Sequence, residues 1–150
     1  MKSAFDLSPA QKEQTQHGEK MFPLKRYLTM LSDLYPTVTA HWHEEAELTL
    51  ITRGTCIYHI HLETYEAQEG DLLFIPPAEL HSINAAPGTE MTSTTYVFHM
   101  DYLNADSADI CTVKYLHPIS RHTLVLPYII KKDHPAHSKL CLLYTSDAAD

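Results

Sequence analysis

The stretch His41-Trp42-His43-Glu44-Glu45-Ala46-Glu47 carries two imidazoles and a carboxylate on odd-numbered residues. In an extended strand successive side chains point to opposite faces, so His41, His43 and Glu47 would share one face. Two imidazoles and a carboxylate on one face can bind a transition metal or a polar ligand. A fourth candidate ligand, His81, follows a Gly-Asp turn farther along the chain.

The spacing of these residues resembles the two motifs of the cupin superfamily. The first motif is His-X-His, three residues, Glu, six residues and Gly, and it ends here at Gly54. The second is Gly, five residues, Pro, then a His and often an Asn. Residues 70–81 match it with Ala78 in place of a common glycine, and Asn84 stands one residue earlier than the Asn of the usual pattern. The resemblance implies an all-β, cupin-type double-stranded β-helix, a jelly-roll barrel. It also implies that four side chains converge inside the barrel: His41, His43, Glu47 and His81.

Further phrases narrow the resemblance. His17-Gly18-Glu19, Phe22-Pro23-Leu24 and Leu80-His81-Ser82, taken with both motifs, resemble the sensor domain of AraC-type transcription regulators over residues 17–130. This resemblance implies a domain that binds a small-molecule effector, forms a homodimer and is normally followed by a DNA-binding domain with two helix-turn-helix units. We expect that second domain to be missing from this chain, so that DNA is a partner only through the missing domain.

Composition agrees with a single globular domain. The chain has 150 residues, of which 44% are apolar and 20% charged, and its net charge is −8. This length is enough for one core. An acidic domain has no sequence-independent attraction for phosphate backbones, so we do not expect this part to bind DNA itself.

Cysteine usage and the N-terminus indicate the compartment. The three cysteines Cys56, Cys111 and Cys141 have no Cys-X-X-Cys spacing, which argues against a disulfide framework and fits a reducing compartment. The first residues lack the apolar core of a signal peptide, and no apolar run is long enough to span a bilayer. We therefore expect a cytoplasmic location and no membrane partner.

The chain divides into four expected segments. Residues 1–16 form an N-terminal arm, 17–130 the cupin sensor domain and 131–140 the start of a linker or helix. Residues 141–150, CLLYTSDAAD, can be encoded by a transposase-type sequencing adapter read in frame, so we interpret them as an adapter artefact. The native sequence beyond residue 140 would then be unknown. The alternative is a natural polar tail.

Short alternating runs punctuated by glycine and proline predict many short strands, which is typical of a barrel or jelly roll. Edge strands are predicted at 113–116 and 123–126, and a helix is predicted to begin within 128–140. Trp42 has the opposite parity from the ligands, so it should pack outside the lumen beneath the N-terminal segment. His99 is a candidate for the lumen. Arg53 could pair with a carboxylate-bearing effector, although an exposed turn arginine is the commoner case.

The candidate site leaves two ligand chemistries open. Three imidazoles and one carboxylate suit a divalent transition metal such as Zn, Fe, Mn or Ni. Without metal, the same side chains would line the pocket and bind an organic effector, since their donors and acceptors suit sugar-like or sugar-acid-like molecules.

The preferred interpretation is the effector-sensing and dimerisation domain of an AraC-family regulator, with no catalysis. The alternative is a stand-alone cupin metalloenzyme of isomerase or dioxygenase type. A storage-like binding barrel is a third option, because cupin barrels host many functions.

Overall fold

The computed structural model describes residues 7–18, 23–103 and 109–146. Parts of the expected arm and adapter segment (residues 1–6 and 147–150), together with Glu19 and Phe22, lie outside the described residues. The strands are β1 (Leu24–Leu31), β2 (Thr37–His41), β3 (Ala46–Arg53), β4 (Thr55–Ile60), β5 (Glu63–Gln68), β6 (Leu72–Ile75), β7 (His81–Ala85), β8 (Met91–Phe98) and β9 (Ile129–Ile130).

These strands form two antiparallel sheets. One has the order β1-β8-β3-β6-β9 and the other the order β2-β7-β4-β5. Chain neighbours such as β2 and β3 therefore lie in different sheets, as they do when a chain winds a jelly roll. The predicted all-β cupin-type barrel is confirmed.

The main core lies between the sheets. Alternate residues of β4 and β8 are buried, which is the period-two pattern of a strand with one face turned inward. Tyr58 is fully buried at its centre. The core cluster draws on both sheets: Leu31, Ile51, Cys56, Tyr58, Ile60, Ala67, Leu73, Ile75, Ile83 and Met91. Each large apolar side chain buried in this way contributes about 1.5–3 kcal/mol to folding.

The turn predicted at Arg53-Gly54-Thr55 joins β3 to β4. Gly54 has φ +77°, a conformation that L residues rarely adopt. A Cβ atom there would lie 2.0 Å from the carbonyl oxygen of Glu90, so the position requires glycine on two grounds.

The edge strands predicted at 113–116 and 123–126 are wrong. Residues Thr112–Leu116 form a π-helical segment that continues directly into helix α1 (His117–Ser120), and residues 123–126 form no strand. The Asp109 carboxylate accepts the backbone N–H groups of Cys111 and Thr112, which satisfies donors at the start of the helical run. Ile119 then packs on Ala46 and Met100. The sequence alternates over too few residues in 113–116 to distinguish a strand from a helix that buries one face.

The segment after α1 returns to the barrel. β9 pairs with β6, and the Lys131 ammonium lies 2.6 Å from the buried Asp71 carboxylate. Helix α2 (His137–Ser146) begins within the predicted range and runs across residue 140, and Leu140 packs near Leu72. The expected division at residue 141 stays a prediction. Within the described residues, no helix combines the length and the apolar character needed to cross a membrane.

Candidate functional site

The four predicted ligands come from both sheets. His41 is the last residue of β2 and is the pairing partner of His81, the first residue of β7. Glu47 lies in β3 of the other sheet, and His43 lies in the connection between β2 and β3. One or two strands are expected over residues 38–52, and the structure has two, β2 and β3. The expectation that His41, His43 and Glu47 share one face of an extended strand is wrong, because the chain crosses between the sheets within this stretch.

The side chains nevertheless meet at the end of the barrel. One ligand atom from each of the four residues lies within 4.8 Å of the others. His43, Glu47 and His81 are buried, and His41 is partly exposed. The name ligand cluster is used below for these four: His41, His43, Glu47 and His81.

Each imidazole of the ligand cluster is oriented by a main-chain hydrogen bond. The Nδ1–H groups donate to the carbonyl oxygens of Thr39, Glu45 and Glu79, at 2.8, 3.0 and 2.7 Å for His41, His43 and His81 respectively. A carbonyl oxygen can only accept, so these contacts fix the Nδ1 protons and leave Nε2 as the nitrogen available to a ligand. Metal-binding histidines are held in this way by their second ring nitrogen.

The Glu47 carboxylate is the acidic member of the cluster. Its Oε1 accepts a hydrogen bond from His43 Nε2 at 2.9 Å, and its Oε2 lies 3.6 Å from His81 Nε2. Burial alone would raise the pKa of Glu47, but the interaction with His81 and the hydrogen bond from His43 outweigh it and hold the pKa far below its usual range. Glu47 is therefore ionised at neutral pH.

The two histidines of the first motif have opposite pKa shifts. Burial would lower the pKa of His43, but its hydrogen bond to Glu47 dominates and raises the pKa above its usual value. Burial, together with repulsion from His81, lowers the pKa of His41. In the metal-free cluster the hydrogen bond to Glu47 thus favours the protonated form of His43, while burial favours the neutral form of His41.

His81 provides the test of whether a metal or polar ligand fits. Its Nε2 is buried and makes no hydrogen bond within 3.5 Å among the described residues, since the nearest carboxylate oxygen, Glu47 Oε2, lies 3.6 Å away. A buried polar atom left unsatisfied costs about 1–3 kcal/mol, so a ligand at this point would relieve a penalty. Three imidazole nitrogens and one carboxylate suit first-row transition metals better than Mg²⁺ or Ca²⁺, which prefer oxygen ligands.

The N-terminal arm covers one side of the ligand cluster. The Glu13 carboxylate lies 3.1 Å from His17 Nε2 and 3.9 Å from His41 Nε2. The buried His17 ring contacts the His43 ring at a centroid distance of 5.4 Å, and its Nδ1 lies 2.5 Å from the Tyr27 hydroxyl. Sequence reasoning missed these neighbours, since His17 was noted only as part of a family phrase and nothing in the spacing marks Glu13.

Trp42 holds the arm in place. Its indole N–H donates to the carbonyl oxygen of Ser8 at 2.9 Å, and its main chain forms a parallel bridge with Lys12. Trp42 therefore packs against the N-terminal segment, as expected.

An open cleft of about 540 Å³ lies beside the ligand cluster. His17 and Glu45, which both contact His43, form one part of its lining, and His99 and Asp101 form another. The expectation that His99 faces the lumen is wrong: β8 ends at Phe98, and the His99 side chain is 45% exposed at the cleft wall.

Arg53 lies outside the site. Its side chain is exposed, because an irregularity in the pairing between Ile51 and Arg53 breaks the alternation along β3. The odd parity that would have placed Arg53 beside the ligand cluster is lost at this bulge.

Comparisons with known proteins agree with this architecture. A family model described as AraC-like ligand binding domain matches residues 33–135. The uncharacterized HTH-type transcriptional regulator YdeC of Bacillus subtilis (strain 168) is 33% identical over 89 residues, which are 59% of this chain and 31% of that protein. The chain thus spans less than a third of the length of this relative.

Solved structures of cupin proteins are also similar. A cupin protein from Bacteroides fragilis is 24% identical with a TM-score of 0.49, and the match covers 58% of this chain and 70% of that one. A cupin-like protein from Thermotoga maritima is 24% identical with a TM-score of 0.48, covering 51% and 58%. The fold assignment rests on the two-sheet topology and on the family match, which spans more than half of the chain. This chain belongs to the AraC-like ligand binding domain family.

Proposed function

We propose that this chain is the effector-sensing domain of a transcription regulator and that its ligand cluster is the binding site. In this proposal another part of the same protein binds DNA, two chains associate as a homodimer, and the regulator acts in the cytoplasm. The observation that carries the proposal is the orientation of the three imidazoles. Their Nδ1–H groups are all bound to carbonyl oxygens, while the buried Nε2 of His81 makes no hydrogen bond within the described part of the chain.

The ligand cluster would hold a divalent transition metal through the three Nε2 atoms and the Glu47 carboxylate. When bound, such an ion supplies coordination positions for oxygen atoms of an effector and polarises them. The chain itself supplies the fixed imidazoles and an already ionised carboxylate, and the ion would displace the Nε2 proton that His43 donates to Glu47.

The effector would enter through the cleft beside the cluster. His17, Glu45 and Asp101 at the cleft offer hydrogen-bonding groups suited to a hydroxyl-rich molecule. With Arg53 exposed outside the site, a neutral sugar-like effector is better supported than a sugar acid. Binding would alter how Glu13 and the arm pack on His41, and this difference between the free and bound states would be passed to the rest of the protein.

A stand-alone metalloenzyme of isomerase or dioxygenase type is the second candidate, favoured by the same donor set of three nitrogens and one carboxylate. An enzyme would turn over a substrate once loaded with metal, whereas a sensor would bind its effector unchanged. Incubation of the metal-loaded chain with a binding sugar, followed by mass spectrometry of that sugar, separates the two candidates.

Thermal unfolding tests the proposal. EDTA-treated protein is heated with Zn²⁺, Mn²⁺, Fe²⁺ or Ni²⁺, alone and with a panel of sugars and sugar acids, beside a His81→Gln variant and a His134→Gln control. A ligand at a hundred times its Kd stabilises the native state by about 2.7 kcal/mol, which raises the Tm by roughly 5–10 °C. We expect such a shift in the native chain and in the exposed-site control, and its loss in His81→Gln. The proposal is wrong if no ion or compound shifts the Tm, or if His81→Gln responds as the native chain does.

A further inference from the structure

Glu79 lies in the loop between β6 and β7, residues 76–80, and its side chain is buried. Three residues from two distant segments contact its carboxylate. His61, in the turn between β4 and β5, contacts the carboxylate through its Nε2. The Nδ1 of His122, just after α1, lies 3.0 Å from the carboxylate, and the hydroxyl of Tyr128, just before β9, donates to it at 3.2 Å. Burial, together with the Coulombic interaction and hydrogen bond with Glu79, raises the pKa of Tyr128.

The main chain of the same loop orients the ligand cluster. The carbonyl oxygen of Glu79 accepts the Nδ1–H of His81 at 2.7 Å, and the N–H of Ala78 donates to the carbonyl oxygen of His43 at 2.8 Å. The loop of residues 76–80 therefore forms hydrogen bonds with two histidines of the ligand cluster through its main chain. Through the Glu79 side chain, the same loop contacts residues in the C-terminal half of the chain.

The backbone adopts left-handed conformations next to Glu79 and at two of the residues that contact its carboxylate. Three non-glycine residues in the described ranges have positive φ: His61 at 54°, Ala78 at 59° and His122 at 56°. Two of them contact the Glu79 carboxylate and the third precedes Glu79 in the chain. Such conformations persist only where the surroundings hold them, so this arrangement is fixed by the contacts that meet at Glu79.

The segment after α1 has few other polar links to the barrel. The N–H groups of residues 121–124 all bond to carbonyl oxygens within 117–119, and the carbonyl oxygen of Tyr128 accepts the N–H of Phe74 in β6. Among the described residues of 121–127, the polar contact that reaches the barrel is that of His122 with Glu79.

We propose that Glu79 is a positioning residue that couples occupancy of the ligand cluster to the conformation of residues 121–128. The proposal rests on the function proposed above and adds the route by which ligand binding would affect the rest of the chain. When a ligand binds His43 and His81, the main chain of the loop moves, and the Glu79 carboxylate then changes its contacts with His122 and Tyr128. Coupling of this kind is reciprocal, so a change at His122 must alter the site.

The test is a His122→Asn variant of the full chain. Asparagine tolerates positive φ but is too short to replace the ring, and the His122 side chain is 41% exposed, so the fold should survive. The matched control is His134→Asn at another exposed histidine, whose described contact is with the Ala136 N–H. A Tyr128→Phe variant, which removes the hydroxyl contact alone, serves if the first variant does not fold.

Two readouts are compared. In metal-free protein, ¹H–¹⁵N correlation spectra report the Nδ1–H of His81, and we expect this signal to shift in His122→Asn and to stay unchanged in His134→Asn. In a Co²⁺ absorption titration we expect His122→Asn to bind roughly ten-fold more weakly, at the lower end of the effect of losing a group that supports a metal ligand.

An unchanged His81 signal in His122→Asn, or in Tyr128→Phe if that variant is used, overturns the coupling. If Co²⁺ does not bind the native chain, the metal role in the proposed function fails, and the His81 signal still decides the coupling by itself. A lower Tm with no change in the His81 signal assigns Glu79 a structural role and also overturns the proposal.

Discussion

Replacement of Glu47 by glutamine tests the electrostatics of the ligand cluster in metal-free protein. The Glu47 and His43 side chains are only 11% and 4% exposed, and their charged atoms lie 2.9 Å apart. Removal of one partner from a buried ion pair costs about 3–5 kcal/mol. Glutamine keeps an acceptor oxygen and His43 can lose its proton, so we expect the lower end, about 3 kcal/mol of unfolding free energy.

The loss should depend on pH with a defined sign. The pKa of Glu47 is lowered in the native state, so its contribution is present above its unfolded value of 4.5 and is lost as pH falls through the native pKa. The pKa of His43 is raised, so its contribution is complete below its unfolded value of 6.5 and is lost as pH rises through the native pKa. The pair therefore stabilises the fold most between these two values, and the effect of Glu47→Gln should be larger at pH 6 than at pH 9.

Urea unfolding in EDTA at the two pH values measures both effects. With a slope of about 1–3 kcal/mol/M, a loss of about 3 kcal/mol lowers the midpoint by about 1–3 M. Glu44→Gln is the matched control, since Glu44 pairs with Lys12 at the surface and such pairs contribute at most about 1 kcal/mol. An equal loss in both variants, or a Glu47→Gln effect that does not shrink at pH 9, would refute the reasoning.

Three further predictions concern the turns and one ion pair of the barrel. Ala78→Gly should raise the unfolding free energy by about 0.5–1 kcal/mol. Ala78 has φ +59°, and the strain of an L residue in that conformation exceeds the extra backbone entropy that glycine loses on folding. A lower Tm would contradict this. Gly54→Ala should lower the unfolding free energy by more than about 2 kcal/mol and Gly88→Ala by about 1 kcal/mol. Both glycines have positive φ, but only at Gly54 would the added Cβ meet a carbonyl oxygen, that of Glu90, at 2.0 Å. Equal urea midpoints for the two variants would contradict the steric contribution. Lys131→Met should lower the unfolding free energy by about 1–2 kcal/mol, because it leaves the buried Asp71 carboxylate without an ammonium whose side chain is 45% exposed; an unchanged urea midpoint would contradict this.

The sequence predicted the barrel and the meeting of four side chains, but partly for a wrong reason. Period-two spacing predicts that His41, His43 and Glu47 share one face of an extended strand, whereas His41 and Glu47 lie in different sheets. The motif resemblance succeeded because it records which residues a cupin barrel brings together, irrespective of the local conformation between them. Strand periodicity carries no information on where a chain crosses from one sheet to the other.

Contacts made across long stretches of sequence could not be predicted. Glu13 reaches His41, and Glu79 meets His122, through packing that leaves no local pattern. One local trace did exist: Ala78 stands where the motif commonly has glycine, and it has positive φ. That departure marked the loop through which we propose the site is coupled to the rest of the chain.

A Co²⁺ titration of EDTA-treated protein, followed by visible absorption, tests most directly whether the four side chains bind as a unit. We predict saturation at about one ion per chain with bands of nitrogen–oxygen coordination, retained in His134→Asn and lost in His81→Gln. Absorption that never rises above that of free Co²⁺, or that is the same in His81→Gln as in the native chain, would contradict the proposed site.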